Sequence, residues 1–555
     1  MHSRINSRIV ILFCCFLLAF LLLEGRVAYL QIYKGEQLAN QAVERRMVTL
    51  ELGNFYRGDI LDRQGKSLLD SQVTYHLVVF PSLICDLPQT VEQLSTLLPE
   101  QGKQIEILND EINSKEPFFL KGTITEEEAS KLSQQKIPGI YVVPLFCRYG
   151  PHALARHIVG CTSGSVIQGN VEKGLNGIEA FYNKELTPRE PVIELGVVVD
   201  GQGKILKGRN LLLRGEKGTV DRGKDVMLTL DRDVQQTVEK VLDQHIDKGA
   251  VALIDIPSGE IRALASRPSY SYDQGFLQGE EFDRSLSLYH PGSVFKIVVA
   301  AAALAEGVVE ADEKFNCNGK YIFKSGEEIS CWKSEGHGEL TFREAFAHSC
   351  NTVFVDVAQR LGSQKLEHYA HLLGLEKGIV GYSPFSGGLV QIGGLPGQVG
   401  NAALGQEGVT ISPVNLAALT AMIARGGIYQ NPSLVKKICD HQGEVVKEFE
   451  NPSAQRVLPF PVAKELQGMM ELAVSEGTGK RAQIPGLGSA GKTGSAETGK
   501  KDKQGKPIVN SWFVGYAPLE KPQVAIAVFV EGGGSGGDCA ALLFKKIVDA
   551  LQKDI

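Results

Sequence analysis

What this sequence lacks first is a surplus of positive charge. Its 58 Lys and Arg stand against 64 Asp and Glu, giving a net charge of -6 and a pI of about 6.1, so nothing in it suggests a nucleic-acid partner. It also lacks a disulfide framework: its ten cysteines are scattered rather than regularly spaced, and Cys14 and Cys15 fall inside an apolar run. Between Leu83 and Lys224 there is neither a repeat nor a low-complexity tract. What remains is globular in composition, with 43% hydrophobic and 22% charged residues. At 555 residues the chain is too long for one compact domain, and two or three are expected.

The N-terminus departs from a soluble protein. Arg4 and Arg8 precede an unbroken apolar run from Ile9 to Leu23, followed by Glu24, Gly25, Arg26 and then Val27 to Leu30. Fifteen helical residues cover only about 22 Å of a hydrocarbon core roughly 30 Å thick. The span must therefore borrow Val27 to Leu30, or let Glu24 and Arg26 snorkel. No small-x-small cleavage site follows Leu23 closely, which favours an uncleaved transmembrane anchor over a signal peptide. Arginines ahead of it place the N-terminus in the cytoplasm and the rest of the chain outside.

Beyond the anchor, Tyr29 to Val48 reads as a helix leaving the bilayer. Arg57 to Lys66 is charged and turn-rich and reads locally as a hairpin with solvated charges, before the strand-like Tyr75 to Phe80. Amphipathic helices such as Thr123 to Gln134 then mix with short strands such as Gly139 to Leu145, and Gly174 to Asn183 resembles a turn entering a short helix. A structural pedestal is the expectation for this region, with a domain boundary near Arg222-Gly223-Lys224. Asp225 to Leu230 reads as a strand and Asp231 to Ile246 as an amphipathic helix. The strands Ala250 to Ile256 and Glu260 to Ser266 flank Pro257-Ser258-Gly259 as a hairpin. Three late strands, Gly488 to Glu497, Ser511 to Ala517 and Gln523 to Glu531, precede a closing helix, Cys539 to Lys553. Strands from both ends of the domain around a helical middle predict an α+β fold, one antiparallel sheet flanked by helices.

Within that middle, Tyr289-His290-Pro291-Gly292-Ser293-Val294-Phe295-Lys296 runs into the apolar stretch Ile297 to Ala305. The pattern predicts a buried helix opening at Ser293, with Lys296 one turn on and on the same face. Burial lowers the pKa of an amine, and such an amine can act as base for a serine hydroxyl. The helix N-terminus and the Ser293 amide would favour an oxyanion there. A second Ser-x-x-Lys, Ser330 to Lys333, and a Lys324-Ser325-Gly326 open no long apolar helix and read as surface hairpin. Farther on, Ser349-Cys350-Asn351 sits at a helix junction, where a hydroxyl and an amide can relay a proton and hold a peptide carbonyl. Finally, Gly491-Lys492-Thr493-Gly494-Ser495 lies on the expected edge strand. Gly494 lets a ligand backbone lie close, Lys492 and Thr493 can hold a carboxylate, and the Ser495 amide can supply a second oxyanion donor.

Each motif alone has an ordinary structural explanation, as a helix cap or a strand with a glycine. In this order they form the Ser-x-x-Lys, Ser-x-Asn, Lys-Thr-Gly set of penicillin-binding proteins and β-lactamases. The sequence resembles a class B penicillin-binding protein, a monofunctional peptidoglycan D,D-transpeptidase. The Arg57 to Gly65 piece is similar to the family's pedestal signature, and no glycosyltransferase-type domain precedes it. The one departure is Cys350 where the familiar motif has Asp. The resemblance implies a serine β-lactamase/transpeptidase-like domain over 225–555, a dimerisation-type pedestal over 31–224, an anchor over 9–30 and a cytoplasmic tail over 1–8. It implies that Ser293 attacks the D-Ala-D-Ala carbonyl of a stem peptide, that Lys296 or Ser349 manages the proton, and that β-lactams acylate Ser293. A membrane-embedded peptidoglycan glycosyltransferase is the implied partner. A non-catalytic β-lactam-binding sensor or scaffold, and a β-lactamase, are the alternatives. Intact Lys492 and Asn351 argue against the first, and the anchor and pedestal are surplus to the second.

No cofactor is required by this chemistry. Cys317, Cys331, His337 and Cys350 nevertheless make a good structural zinc set, although their spacing is far from a compact knuckle. Some elongation-type relatives are similar in holding zinc beside the Ser-x-Asn motif. A Cys317 to Cys331 disulfide, or four unconnected residues, remain open alternatives at the level of sequence.

Overall fold

The structure is a computed structural model. It describes residues 2–552 apart from 46, 53–56, 100–115, 121, 164–171, 189–192, 200–211, 216–221, 273–279, 281, 386 and 451–452. The N-terminal helix His2–Ala28 continues through a π-helical turn, Tyr29–Tyr33, so the apolar span borrows the residues that fifteen alone would need. The stretch Arg8–Tyr33 is long and apolar enough to cross a membrane, and none of its most apolar window is buried. The helix expected over Tyr29 to Val48 is shorter, Gly35–Glu44, and gives way to a strand, Met47–Leu52.

The pedestal is built on two three-stranded antiparallel sheets. One centres on Gln72–Val79 between Phe118–Phe119 and Ile140–Cys147, and the other pairs Met47–Leu52, Ile193–Val198 and Leu212–Gly215. Alternation along Gln72–Val79 divides its side chains. Leu77 and Val79 pack with Leu94 and Leu132 of two covering helices, while Val78 faces Leu195 and Val197 of the other sheet.

The C-terminal half is organised by five strands, β1 (Gly249–Asp255), β2 (Ile261–Arg267), β3 (Ala490–Lys501), β4 (Pro507–Ala517) and β5 (Val524–Val530), in the antiparallel order β2-β1-β5-β4-β3. The early hairpin and the late strands thus meet in one sheet, as the sequence predicts, with β3 at its edge. The strands read as continuous apolar runs because both faces are covered. Ala252, Ile254, Trp512, Val514 and Phe529 face the helical body, and Val251, Leu253, Phe513, Ile526 and Val528 face the other way. That second face is closed by α1 (Arg232–His245) and by the C-terminal α7 (Ala540–Ala550). Between lie α2 (Lys296–Ala305), α3 (Phe342–Ala347), α4 (Asn351–Leu361), α5 (Pro413–Ala424) and α6 (Phe460–Ser475). Of these α2 and α5 are apolar all round and almost wholly buried.

The strand Asp225–Leu228 does not join that sheet. It pairs in parallel with Ile60–Leu61 on one side and antiparallel with Val435–Cys439 on the other. The charged piece around it is not a solvated hairpin either. Arg57 is buried and pairs with the fully buried Glu179 at 2.7 Å, while also donating to the Glu179 carbonyl at 3.0 Å and to Thr187 Oγ1 at 2.8 Å. Arg148 and Tyr149 reach the other Glu179 oxygen at 2.5 and 3.0 Å. Residues 122 apart satisfy each other here, a pairing that no local pattern announces.

Candidate functional site

Ser293 opens not an α-helix but a 3-10 turn, Gly292–Phe295, and α2 begins only at Lys296. Gly292 has a φ of +57°, and a Cβ built on it would lie 2.5 Å from the Ser495 carbonyl oxygen. On the other side, a Cβ at Gly494 would lie 2.7 Å from the Pro291 carbonyl. Two glycines therefore let the serine turn press against the edge of β3. Trp512 holds the turn from β4 by donating its indole N–H to the His290 carbonyl at 3.1 Å.

Lys296 is fully buried, and burial lowers its pKa from the ordinary lysine value to about 8. Its Nζ lies 2.8 Å from the Ser349 carbonyl, 2.8 Å from Asn351 Oδ1 and 3.2 Å from Ser349 Oγ. Ser349 adopts a φ of +56°, a costly conformation for a residue with a Cβ. Asn351 is anchored at its other end by donating Nδ2 to the Ser330 carbonyl at 3.2 Å. The Ser293 hydroxyl has no side-chain hydrogen bond among the described residues and lines a cavity of about 710 Å³.

Of the residues singled out from sequence, Ser293, Ser349, Asn351, Thr493, Gly494 and Ser495 line this cavity. Lys296 and Lys492 lie beneath its floor, both fully buried. Lys492 is also held well below the ordinary lysine range, first by burial and then by the charge of Lys296. Thr493 shares a 2.6 Å hydrogen bond with Thr478, and Ser495 Oγ accepts the Gly536 amide at 3.1 Å. Sequence reasoning passed over the opposing wall, where Thr478, Lys480, Arg481 and Asp538 also line the cavity. Thr478 and Asp538 lie in connecting segments and Lys480 and Arg481 on a short 3-10 turn, Lys480–Ala482, and none of them carries a sequence motif. Ser330 and Trp332, set aside as surface hairpin, line it too.

Cys317, Cys331, His337 and Cys350 converge, their ligand atoms all within 4.8 Å of one another, and every cysteine is a free thiol. His337 Nδ1 stands 3.6 Å from both the Cys317 and Cys331 sulfurs. A tetrahedral zinc with Zn–S of about 2.3 Å and Zn–N of about 2.0 Å would set those separations at roughly 3.5 Å, so the donor set fits. The Cys331 thiol is pulled down to about 4, chiefly by its hydrogen bond with Cys350, whose own thiol is pushed up by that bond. The cluster sits against the floor of the cavity. Cys350 caps α4 between Ser349 and Asn351, and Cys331 follows the Ser330 that holds Asn351.

Comparison with known proteins matches residues 249–549 to the penicillin-binding protein transpeptidase domain and residues 54–228 to the penicillin-binding protein dimerisation domain. Stage V sporulation protein D of Bacillus subtilis is 28% identical, over 100% of this chain and 86% of that protein. Peptidoglycan D,D-transpeptidase MrdA of Acinetobacter baumannii is 27% identical, over 96% and 85%. A chain from the solved structure of a peptidoglycan synthase complex, which coordinates polymerization and crosslinking, superposes with a TM-score of 0.70 at 26% identity, over 98% of each chain.

Proposed function

Because the chain belongs to the penicillin-binding protein transpeptidase family, in its class B, we propose that it cross-links cell-wall stem peptides through an acyl-enzyme on Ser293. The observation that carries the mechanism is the buried Lys296, held with a pKa of about 8 at 3.2 Å from Ser349 Oγ. Neutral Lys296 accepts the Ser293 proton, with Ser349 relaying it, as Ser293 Oγ attacks the carbonyl between two D-alanines. The Ser293 and Ser495 amides receive the oxyanion, and loss of either would cost roughly 10²–10³ in rate. Thr493, above Lys492, holds the terminal carboxylate, and Asn351 holds the stem backbone. The proton returns to the departing D-alanine amine, leaving an ester. An amine of a second stem then takes the acyl group, and a β-lactam carbonyl stops at the ester.

Zinc, when bound, would draw Cys317, Cys331, His337 and Cys350 together as a structural ion. Its service is to fix the Ser349 to Asn351 junction, since Cys350 lies inside it. Elemental analysis of the purified protein should find about one zinc per chain, and finding none removes the ion from the account.

Arg4 and Arg8 ahead of the span place the N-terminus in the cytoplasm and the pedestal (31–224) and transpeptidase unit (225–555) outside, where stem peptides are. A membrane-embedded glycosyltransferase is the partner that would supply new strands, in keeping with the synthase complex to which one similar chain belongs. The test of this reading is release of free D-alanine from a pentapeptide stem by the wild type and its loss in Ser293→Ala. A Ser293→Ala protein that still releases D-alanine and cross-links would overturn it.

A further inference from the structure

Gln406 lines the same cavity as Ser293, and its carboxamide makes no hydrogen bond among the described residues. A backbone clamp sets its place. Residues 405–411, which follow the helix Pro396–Ala403, run alongside the chain that leads into the serine turn. The Tyr289 amide donates to the Ile411 carbonyl at 3.2 Å, the Ile411 amide to the Tyr289 carbonyl at 2.9 Å, and the Gly292 amide to the Gly405 carbonyl at 3.1 Å. His290 Nδ1 adds a contact of 2.8 Å to the Val409 carbonyl. Gly405 has a φ of +69°, and a Cβ there would overlap the Gly292 carbonyl. Gln406 and Ser293 each adjoin this glycine pair, so the root of the Gln406 side chain is fixed against the serine turn.

Groups that could take a proton from water are scarce on that wall. Two carboxylates line the cavity among the described residues: Asp538, paired with Arg481 at 3.3 Å, and Glu497, two residues past Ser495 along β3. Glu407, next to Gln406, is exposed and accepts Asn401 Nδ2 at 3.1 Å. This matters once the ester has formed. Water is a poor nucleophile unless a base takes its proton as it attacks, whereas a neutral amine attacks through its own lone pair and sheds a proton afterwards. We propose that Gln406 is a specificity-determining residue of the second half-reaction, accepting one N–H of the incoming amine at Oε1 while offering water no base at the wall, an assignment that rests on Ser293 being the nucleophile. The amine nitrogen forms the new amide bond as the bond from the acyl carbon to Ser293 Oγ breaks. One N–H proton passes through Ser349 and Lys296 to Ser293 Oγ and restores the hydroxyl. The N–H held by Gln406 stays on the product amide.

The test uses the full-length protein with a thioester, Nα-benzoyl-D-alanyl thioglycolate, as acyl donor and D-alanine as the amine. Benzoyl-D-alanine reports hydrolysis and benzoyl-D-alanyl-D-alanine reports aminolysis. Their ratio is counted per acyl-enzyme formed, so a slower first step leaves it unmoved. Gln406→Ala should lower the ratio of aminolysis to hydrolysis about tenfold, as befits one hydrogen bond to a nitrogen gaining charge. Gln406→Glu should hydrolyse its acyl-enzyme on the order of 10²-fold faster than Gln406→Ala, the lower end for a positioned base, and only as the introduced carboxylate ionises with rising pH. That pH profile is one a merely structural role would not produce. An unchanged ratio in Gln406→Ala, hydrolysis no faster in Gln406→Glu than in Gln406→Ala, or no aminolysis product from the wild type overturns the proposal while leaving the nucleophile in place. Absence of any Ser293-dependent turnover of the thioester overturns both.

Discussion

Lys296 shows how far position changes a side chain's chemistry. An exposed lysine is protonated up to pH of about 10.4, whereas this one, without solvent, is half neutral at about 8. In the proposed mechanism Lys296 must be neutral to take a proton, and its neutral fraction grows as pH rises through the folded-state pKa. The acylation rate of the wild type by penicillin should therefore climb about tenfold per unit below pH 7 and level off above about 8. A plateau reached only near pH 10 would show that Lys296 is not the base. Lys296→Arg, whose guanidinium stays charged, should lose acylation by 10³-fold or more, on the order of removing a catalytic base together with its relay. Serine and lysine three apart were legible in the sequence. The 3-10 turn that carries the serine was not, because Gly292 packs against the Ser495 backbone, some 200 residues away.

At the scale of elements, the site depends on two close approaches and one buried junction. Gly494→Ala would drive a Cβ toward the Pro291 carbonyl, 2.7 Å away, and push β3 off the serine turn. The penicillin acylation constant should fall by roughly 10²-fold, the cost of one displaced oxyanion donor. In the pedestal junction, Arg57→Ala leaves the fully buried Glu179 short of a partner, and unfolding stability should drop by about 3–5 kcal/mol in a denaturant titration. A loss under 1 kcal/mol would mean that Arg148 and Tyr149 alone suffice. The strands of the central sheet were readable because runs such as Gln523 to Glu531 are apolar and bounded by turns. Arg57 was misread as solvated because its partner is remote, and a charge looks the same in sequence whether water or Glu179 surrounds it. The thiol cluster was readable as a composition, but its closure around His337 needed the hairpin from Cys317 to Cys331 to fold back on Cys350. Cys317→Ser should lower zinc content and the melting temperature together, and unchanged zinc content would exclude Cys317 as a ligand.

On the scale of the whole molecule, an apolar helix, a pedestal and a two-faced sheet serve to present one cavity. The order of the three motifs grouped Ser293, Ser349 and Thr493 although they lie far apart in the chain, and in the structure all three line one cavity. The far wall, with Thr478, Lys480 and Arg481, stayed hidden because loops carry chemistry without periodicity. The parallel pairing of Ile60–Leu61 with Asp225–Leu228 was equally silent, and that strand, read from sequence as opening the second domain, falls within the span matched to the dimerisation domain. The most direct measurement of the central claim is the intact mass of the full-length protein after incubation with benzylpenicillin, followed by peptide mapping. One penicilloyl adduct per chain, located on Ser293 and abolished by Ser293→Ala, is the expected result. A folded protein that gains no adduct, or carries it on another residue, would contradict the account.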